Sequence, residues 1–467
     1  MRLMFKVLLV LGMTLAILVP LSMIRGVIHD RQAYRAEAVA DVARSYGGAQ
    51  SFAGPVLVVP FTEAVEVEEL DKANVPRKVM RERSGQWTFF PTRLDIDGPL
   101  LPATRKRGLH EVRVYDWQAV VGARFDAKIP PADDPARSRR IGQPWLAVGI
   151  ADVRGLRSIP QLRVNGRAMA MEQGMGSRDA PGLHVRLAPP AAGQTLVLDT
   201  DLRFQLGGTE SLAIVPLGKD NRIALTSTWR HPSFAGTSPR QRIDATGFTA
   251  EWQLASVATN AQRQYFEGAS TTTAEASPVD AVAAAMGEPA QSRAIALDTV
   301  GVSLIDPVDV YTQADRATKY GLLFVLLTFV GFFMFELIRS LPIHPIQYAL
   351  VGLALAIFFL LLVGLSEHIA FGQAYLIASV ACLGLLGFYL SAVLRSLARG
   401  IGFAAMLALL YGALYGLLVS EDNALVLGSG LLFVILSALM VATRKVDWYQ
   451  LSRAPRVDGL RDGLDPA

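Results

Sequence analysis

The sequence has a single cysteine, Cys382, inside an apolar run, which excludes an internal disulfide and any cysteine-based metal cluster. Its six histidines, His29, His110, His184, His231, His344 and His368, are scattered and form no HxxxH or HExxH pair, so a zinc site is not expected. No GxSxG elbow, P-loop or dinucleotide fingerprint occurs. The net charge of +4 over 467 residues implies no strongly basic face, and nucleic acid is not an expected partner. Paired carboxylates such as Glu68-Glu69 and Asp133-Asp134 fall in charged stretches and read as solvated surface.

The chain does have long apolar runs. Mean hydropathy is +0.33 and 51% of residues are hydrophobic, too apolar for an ordinary soluble protein and too mixed for a pure membrane bundle, so a membrane part plus a large soluble part is expected. Crossing a bilayer as a helix takes about 20 apolar residues. Pro345–Leu365 and Gly372–Leu394 each suffice, and the short polar break Ser366–Phe371 between them makes an antiparallel membrane hairpin. The remaining spans are read near Tyr320–Ile338, Ile401–Val419 and Ala424–Ala442. Residues 3–24, with Arg2 and Lys6 in front, read as an uncleaved signal anchor rather than a signal peptide, because LVPLSMIRG offers no small-x-small cleavage site. Val27, Tyr34, Ala38, Val42 and Tyr46 continue at helical spacing as a stalk, or as a separate surface helix, up to Gly47-Gly48.

From Pro55 to Tyr311 the pattern changes to short β-type runs separated by turn residues such as Asn165-Gly166 and Gly207-Gly208. Without regular strand–helix alternation, a sandwich or barrel is expected. His110–Asp126 reads as a half-buried strand pair, whereas Asp71–Ser84 and Pro130–Arg140 read as charged loops and Gly268–Ala290 as a mobile connection. The expected organisation is an anchor over residues 1–24, a helical stalk over 25–48, a mainly β, sandwich-like domain over 49–318, a five-helix bundle over 319–443 and a tail over 444–467. Arg339, Arg395, Arg399, Arg444 and Lys445 collect at one set of span ends, while loops 366–371 and 420–423 contain no lysine or arginine and carry Glu367, Glu421 and Asp422. The positive-inside rule then places both termini in the cytoplasm and the β domain in the periplasm.

Few residues read as chemistry. Trp229-Arg-His-Pro-Ser-Phe-Ala-Gly236 sets two aromatics, Trp229 and Phe234, beside His231, as a recognition surface or as a loop plugging the sandwich. Glu367 and His368 are adjacent at the outer interface, where they could act on a lipid-linked or cell-wall substrate or simply cap two spans. Glu336, with Arg339 three residues on, reads as a snorkelling pair, and Gly412-x-x-x-Gly416 reads first as a helix-packing motif.

Several blocks, in order along nearly the whole chain, resemble the CreD family of inner-membrane proteins. They include RSYGGAQSFAGPVLVVP (44–60), KRGLHEVRVY (106–115), GIADVRGL (149–156), WRHPSFAG (229–236), GVSLIDPVDVY (301–311) and HPIQYALVGLALAIFFLLLVGLSEHIAFGQAYLIA (344–378). In one departure, Thr237-Ser238 precede Pro239 where the family commonly has an apolar residue. The resemblance implies a role in cell-envelope integrity and colicin tolerance, under a two-component system that senses envelope or nutritional stress. It brings no catalytic residues to transfer, and neither a cofactor nor a metal is expected. The reading that follows is a non-enzymatic envelope protein whose partners are the lipid bilayer and envelope proteins or cell-wall components. The alternative is a membrane enzyme, or a lipid- or small-molecule-handling protein, at the periplasmic leaflet. Transport is disfavoured by the lack of ionisable groups at mid-membrane depth.

Overall fold

The computed structural model describes residues 2–70, 76–131, 139–176, 180–191, 193–267, 297–304, 310–339, 344–393, 396–420 and 424–444. The chain divides into two compact units, residues 1–34 with 308–467, and residues 35–307.

The second unit is built on two sheets. The nine-stranded sheet holds β1 (Gln50–Leu70), β2 (Pro76–Phe89), β5 (Arg139–Ile141), β6 (Trp145–Ile150), β9 (Glu172–Gln173), β10 (Gly182–Arg186), β12 (Ser211–Val215), β14 (Ser233–Ala235) and β17 (Val300–Ser303). The eight-stranded sheet holds β3 (Arg93–Arg107), β4 (His110–Lys128), β7 (Gln161–Val164), β8 (Arg167–Met169), β11 (Thr195–Thr209), β13 (Asp220–Ser227), β15 (Arg240–Asp244) and β16 (Gly247–Ala255). Most pairs are antiparallel, but β1–β12 and β3–β13 are parallel. The inner faces share one core, in which Trp117 from β4 meets Phe52 from β1 and Phe204 from β11 edge-on, with centroids 5.7 Å apart in each case. The fold is therefore mainly β and sandwich-like.

Two local readings are corrected. His110–Asp126 is not a strand pair but most of one 19-residue strand, β4. Its alternation slips because Val112 and Val114 point to the face opposite Trp117, where Val42 and Tyr46 of the first helix cover them. Of the charged stretch expected as a loop over Asp71–Ser84, residues 76–84 form much of β2, whose ladder with β1 runs from Leu57↔Phe89 out to Leu70↔Pro76, and 71–75 lie outside the described residues. Acidic residues on β1 face basic ones on β2 across it, as in Glu63↔Arg83 and Glu68↔Lys78, so the charges that read as loop instead support a hairpin. The stretch 268–290 lies outside the described residues.

Helix α1 (Arg2–Tyr46) is one helix through the first apolar run and the polar residues after it. It stops at Gly47, whose φ of 101° is open to glycine at little cost and whose added Cβ would lie 2.8 Å from the Gly207 carbonyl. Asp152 then fixes the chain, accepting from the Gly48 N–H at 3.0 Å. Its side-chain hydrogen bonds from Arg154, together with those backbone donors, hold its carboxyl below the usual carboxylate range against the opposing effect of burial.

The first unit contains the N-terminal part of α1 and five further apolar helices, α3 (Val310–Arg339), α4 (Pro345–Ser366), α5 (Phe371–Val393), α6 (Leu397–Val419) and α7 (Ala424–Thr443); the short α2 (Ala261–Phe266) belongs to the sheet unit. Among the described residues, five of these six are long and apolar enough to span a bilayer, and in α7 the apolar described segment is the shorter Val426–Ser437. His344 caps α4, with its Nδ1 3.3 Å from the Ile346 N–H, Gln347 reaching back to the His344 N–H at 3.0 Å, and Pro345 opening the helix. The core is aromatic, with Phe324 and Phe358 packed edge-on against Tyr411 at 4.6 and 4.7 Å. One close helix approach is at Gly352, where an added Cβ would lie 2.8 Å from the Ile17 and Phe329 side chains. Among the described residues, Gly412 and Gly416 meet no heavy atom within 4 Å at that position, so there they do not make the helix contact expected of them.

Candidate functional site

The residues singled out from sequence fall into two groups, three in the sheet unit and two in the helical unit, and each is built differently. In the sheet unit, β13 ends at Ser227 and the chain turns at once. The Trp229 indole N–H donates to the His231 carbonyl at 2.8 Å, and the Arg113 guanidinium sits 4.8 Å over the Trp229 ring. The His231 ring stands edge-on 6.3 Å from that ring and is exposed. Strand β14 then pairs with β17, Phe234 opposite Val302. Phe234 turns inward onto Phe248 and Trp252, at 5.5 and 5.8 Å. The Trp252 indole donates to the Thr237 carbonyl at 2.7 Å. This contact uses backbone, so the unusual side chains at 237 and 238 do not alter it. Gly236 completes the turn at φ 76°, where a Cβ would lie 2.1 Å from the Thr299 carbonyl. The loop is thus pre-ordered, with Phe234 filling the core edge, Trp229 clamped between Arg113 and its own loop, and His231 presented outward.

In the helical unit, Glu367 and His368 sit in the turn that closes α4. The Leu365 carbonyl accepts from the N–H groups of His368 and Ile369, at 3.0 and 3.1 Å. The two side chains diverge, as neighbours about 100° apart on a helical turn must. The Glu367 carboxylate is 9% exposed and lies 3.1 Å from Arg31 Nε of α1, while His368 is exposed. A second tie on the same helix joins Arg25 to Asp315 at 3.1 Å, and Lys319 shares that carboxylate at 2.7 Å. Glu367 therefore works as a helix-to-helix ion pair in this arrangement, and its charge is turned toward α1 rather than toward the neighbouring imidazole.

Glu336 is 4% exposed inside the helical core and accepts the Tyr348 hydroxyl at 2.8 Å; the Arg339 side chain expected to pair with it lies outside the described residues. Val325, Phe329, Phe332 and Glu336 follow one another at helical spacing on the buried face of α3, and that spacing was the signal available in the sequence. Among the described residues, no group of three or more His, Cys, Asp or Glu side chains could hold a metal ion.

The family profile described as "Inner membrane protein CreD" matches residues 2–449. The Inner membrane protein CreD of Escherichia coli (strain K12) is 34% identical over 445 residues, covering 94% of this chain and 92% of that protein. Two solved structures show slight likenesses. Leukotriene A4 hydrolase from Saccharomyces cerevisiae has a TM-score of 0.20 and 9% identity over 36% of this chain and 27% of its own. A two-domain M1 zinc metallopeptidase bound to L-tryptophan has a TM-score of 0.17 and 13% identity over 35% and 39%. Likenesses of this size carry no argument about the chain.

Proposed function

The chain belongs to the CreD family of inner membrane proteins, and from that premise we propose that it is a non-enzymatic binding and scaffolding component of the cell envelope that supports envelope integrity under stress. The observation that carries this reading is the Trp229–Gly236 loop. Its aromatics are locked by Arg113, Phe248 and Trp252, while His231 is left at the surface. A surface held rigid before a partner arrives loses little conformational freedom on binding, as a recognition site requires. The engagement of Glu367 by Arg31 supports the same reading, because a carboxylate tied to a neighbouring helix is not presented to a substrate. The partners in this account are envelope proteins or cell-wall components, and the tolerance to colicins associated with such proteins follows from altered envelope surface rather than from chemistry on the colicin.

In the same proposal the sheet unit lies in the periplasm and both termini in the cytoplasm. Support comes from the distribution of charge. Arg339, Arg399 and Arg444 lie at one set of helix ends, whereas the α4–α5 and α6–α7 connections carry Glu367, Glu421 and Asp422 without a lysine or arginine. In a Cys382→Ser background, a cysteine at Asn423 is expected to react with a membrane-impermeant thiol reagent in intact spheroplasts, and one at Asp458 is expected to react only after lysis. The reverse labelling pattern would sink the orientation.

A further inference from the structure

A cleft of about 610 Å³ opens in the sheet unit between the last turns of α1 and the end of the β3–β4 hairpin, in the range typical of small-ligand sites. Arg44, Arg105, Lys106 and Arg107 line it, with Asp41 as the carboxylate among the lining residues and Tyr46 as its aromatic wall. The geometry of these groups is specific. Asp41 is shared by Arg44 and Arg107, the latter through Nε and Nη2 at 3.2 Å each. The Tyr46 ring carries Arg157 at 4.0 Å and Arg105 at 5.5 Å from its centroid. Lys106 reaches Glu111 at 3.2 Å, both on the exposed side of the hairpin. The turn that brings the run together is Gly108-Leu109, in which Gly108 has φ 60°, the left-handed backbone a two-residue hairpin needs at that position.

Like charges this close repel, and Asp41 and Glu111 offset only part of four cations. A cleft whose lining carries a surplus of one sign of charge also focuses the field on whatever enters it. Arg44 has a separate reason to be there, since a cation in the last turn complements the helix dipole. That reason does not extend to Arg105, Lys106 and Arg107, which sit on a strand. Guanidinium forks match the paired oxygens of a phosphate, and Arg44 and Arg107 are already oriented by the carboxylate between them. We propose that this cleft binds a phosphate-type anion, either a soluble phosphate ester or the headgroup of an anionic lipid. The inference deepens the binding role put forward above and rests on it, by assigning a ligand chemistry to the sheet unit.

The test uses the full chain in zwitterionic detergent micelles and phosphate-free buffer, titrated calorimetrically with inorganic pyrophosphate. Saturable binding is expected that weakens as salt is raised, by about fivefold in Lys106→Gln and by more than tenfold in Arg44→Gln/Arg107→Gln. Lys106 is largely exposed, so its substitution reports charge without risk to the fold. Arg222→Gln, on β13, is the control and is expected to bind as the native chain does. In a second arm, nanodisc-embedded protein is mixed with vesicles of phosphatidylglycerol or of phosphatidylcholine. Capture by phosphatidylglycerol alone, lost in the same variants and without a pyrophosphate response, assigns the site to a lipid headgroup. A pyrophosphate response assigns it to a soluble ester. Binding of neither probe, or binding that the variants leave unchanged, overturns the proposal. Because the readout is an equilibrium on purified protein, such a failure leaves the envelope role itself to be judged by complementation.

Discussion

Replacing Gly352 with leucine is expected to cost the helical unit about 3 kcal/mol and to lower its thermal midpoint in detergent, while the same change at Gly412 leaves it unaltered. The difference lies in space. A Cβ at Gly352 would meet Ile17 of α1 and Phe329 of α3 at 2.8 Å, both side chains being buried. Leucine adds three carbons beyond that point, so α1 and α3 must both give way or α4 must rotate. Helices in lipid gain little from the hydrophobic effect between themselves and depend on close backbone approach and dispersion, and small residues make that approach possible. A Cβ at Gly412 meets nothing within 4 Å among the described residues. Thermal unfolding of the purified full chain, followed by the loss of helical circular dichroism, separates the two variants. Equal midpoints would mean that α4 is not seated on α1 and α3 at Gly352.

Trp117→Ala should have a comparable or larger effect on the sheet unit, about 3–5 kcal/mol, through the cavity it leaves. Trp117 is fully buried where the two sheets meet and touches Phe52 and Phe204, which themselves stack at 5.6 Å. Its indole N–H has no hydrogen-bond partner among the described residues. Trp117→Phe is therefore the informative comparison. It keeps a ring against Phe52, removes a buried donor that has no described partner, and is expected to lose much less than the alanine variant. Hydrogen exchange of the β4 and β11 amides measures the opening free energy locally, without interference from the helices. If the alanine and phenylalanine variants exchange alike, the tryptophan is not the keystone of that core.

The architecture was legible because the two periods, about 20 apolar residues for spans and two for strands, are written over long stretches. Residues whose partners are distant in sequence were not. The strand-pair reading of His110–Asp126 failed because Val112 and Val114 are covered by Val42, about 70 residues away, and a period of two cannot announce a second covered face. The charged run before Ser84 hid a hairpin, since pairing of Glu68 with Lys78 needs a register as well as a composition. Gly352 and the Gly412–Gly416 motif show the same limit. The spacing of glycines suggests a contact, but only the position of Ile17 and Phe329 decides which glycine makes it. At the candidate site, the sequence offered Glu367 and His368 as neighbours. Arg31, more than 300 residues earlier, is what turns the carboxylate into an ion pair.

Complementation of envelope-stress sensitivity in a strain lacking the protein, with membrane levels checked for each variant, tests most directly whether the chain binds rather than catalyses. Glu367→Gln breaks a pair whose Arg31 side chain remains hydrated, a loss of at most about 1 kcal/mol, and His368→Ala removes an exposed ring. Both are expected to complement fully. Trp229→Ala/Phe234→Ala strips the ordered loop of its ring clamp and its core contact, and is expected to fail. Loss of a general acid or base commonly lowers a rate by about 10²–10⁴-fold. A Glu367→Gln or His368→Ala protein that reaches the membrane at native level yet gives no complementation would contradict the account.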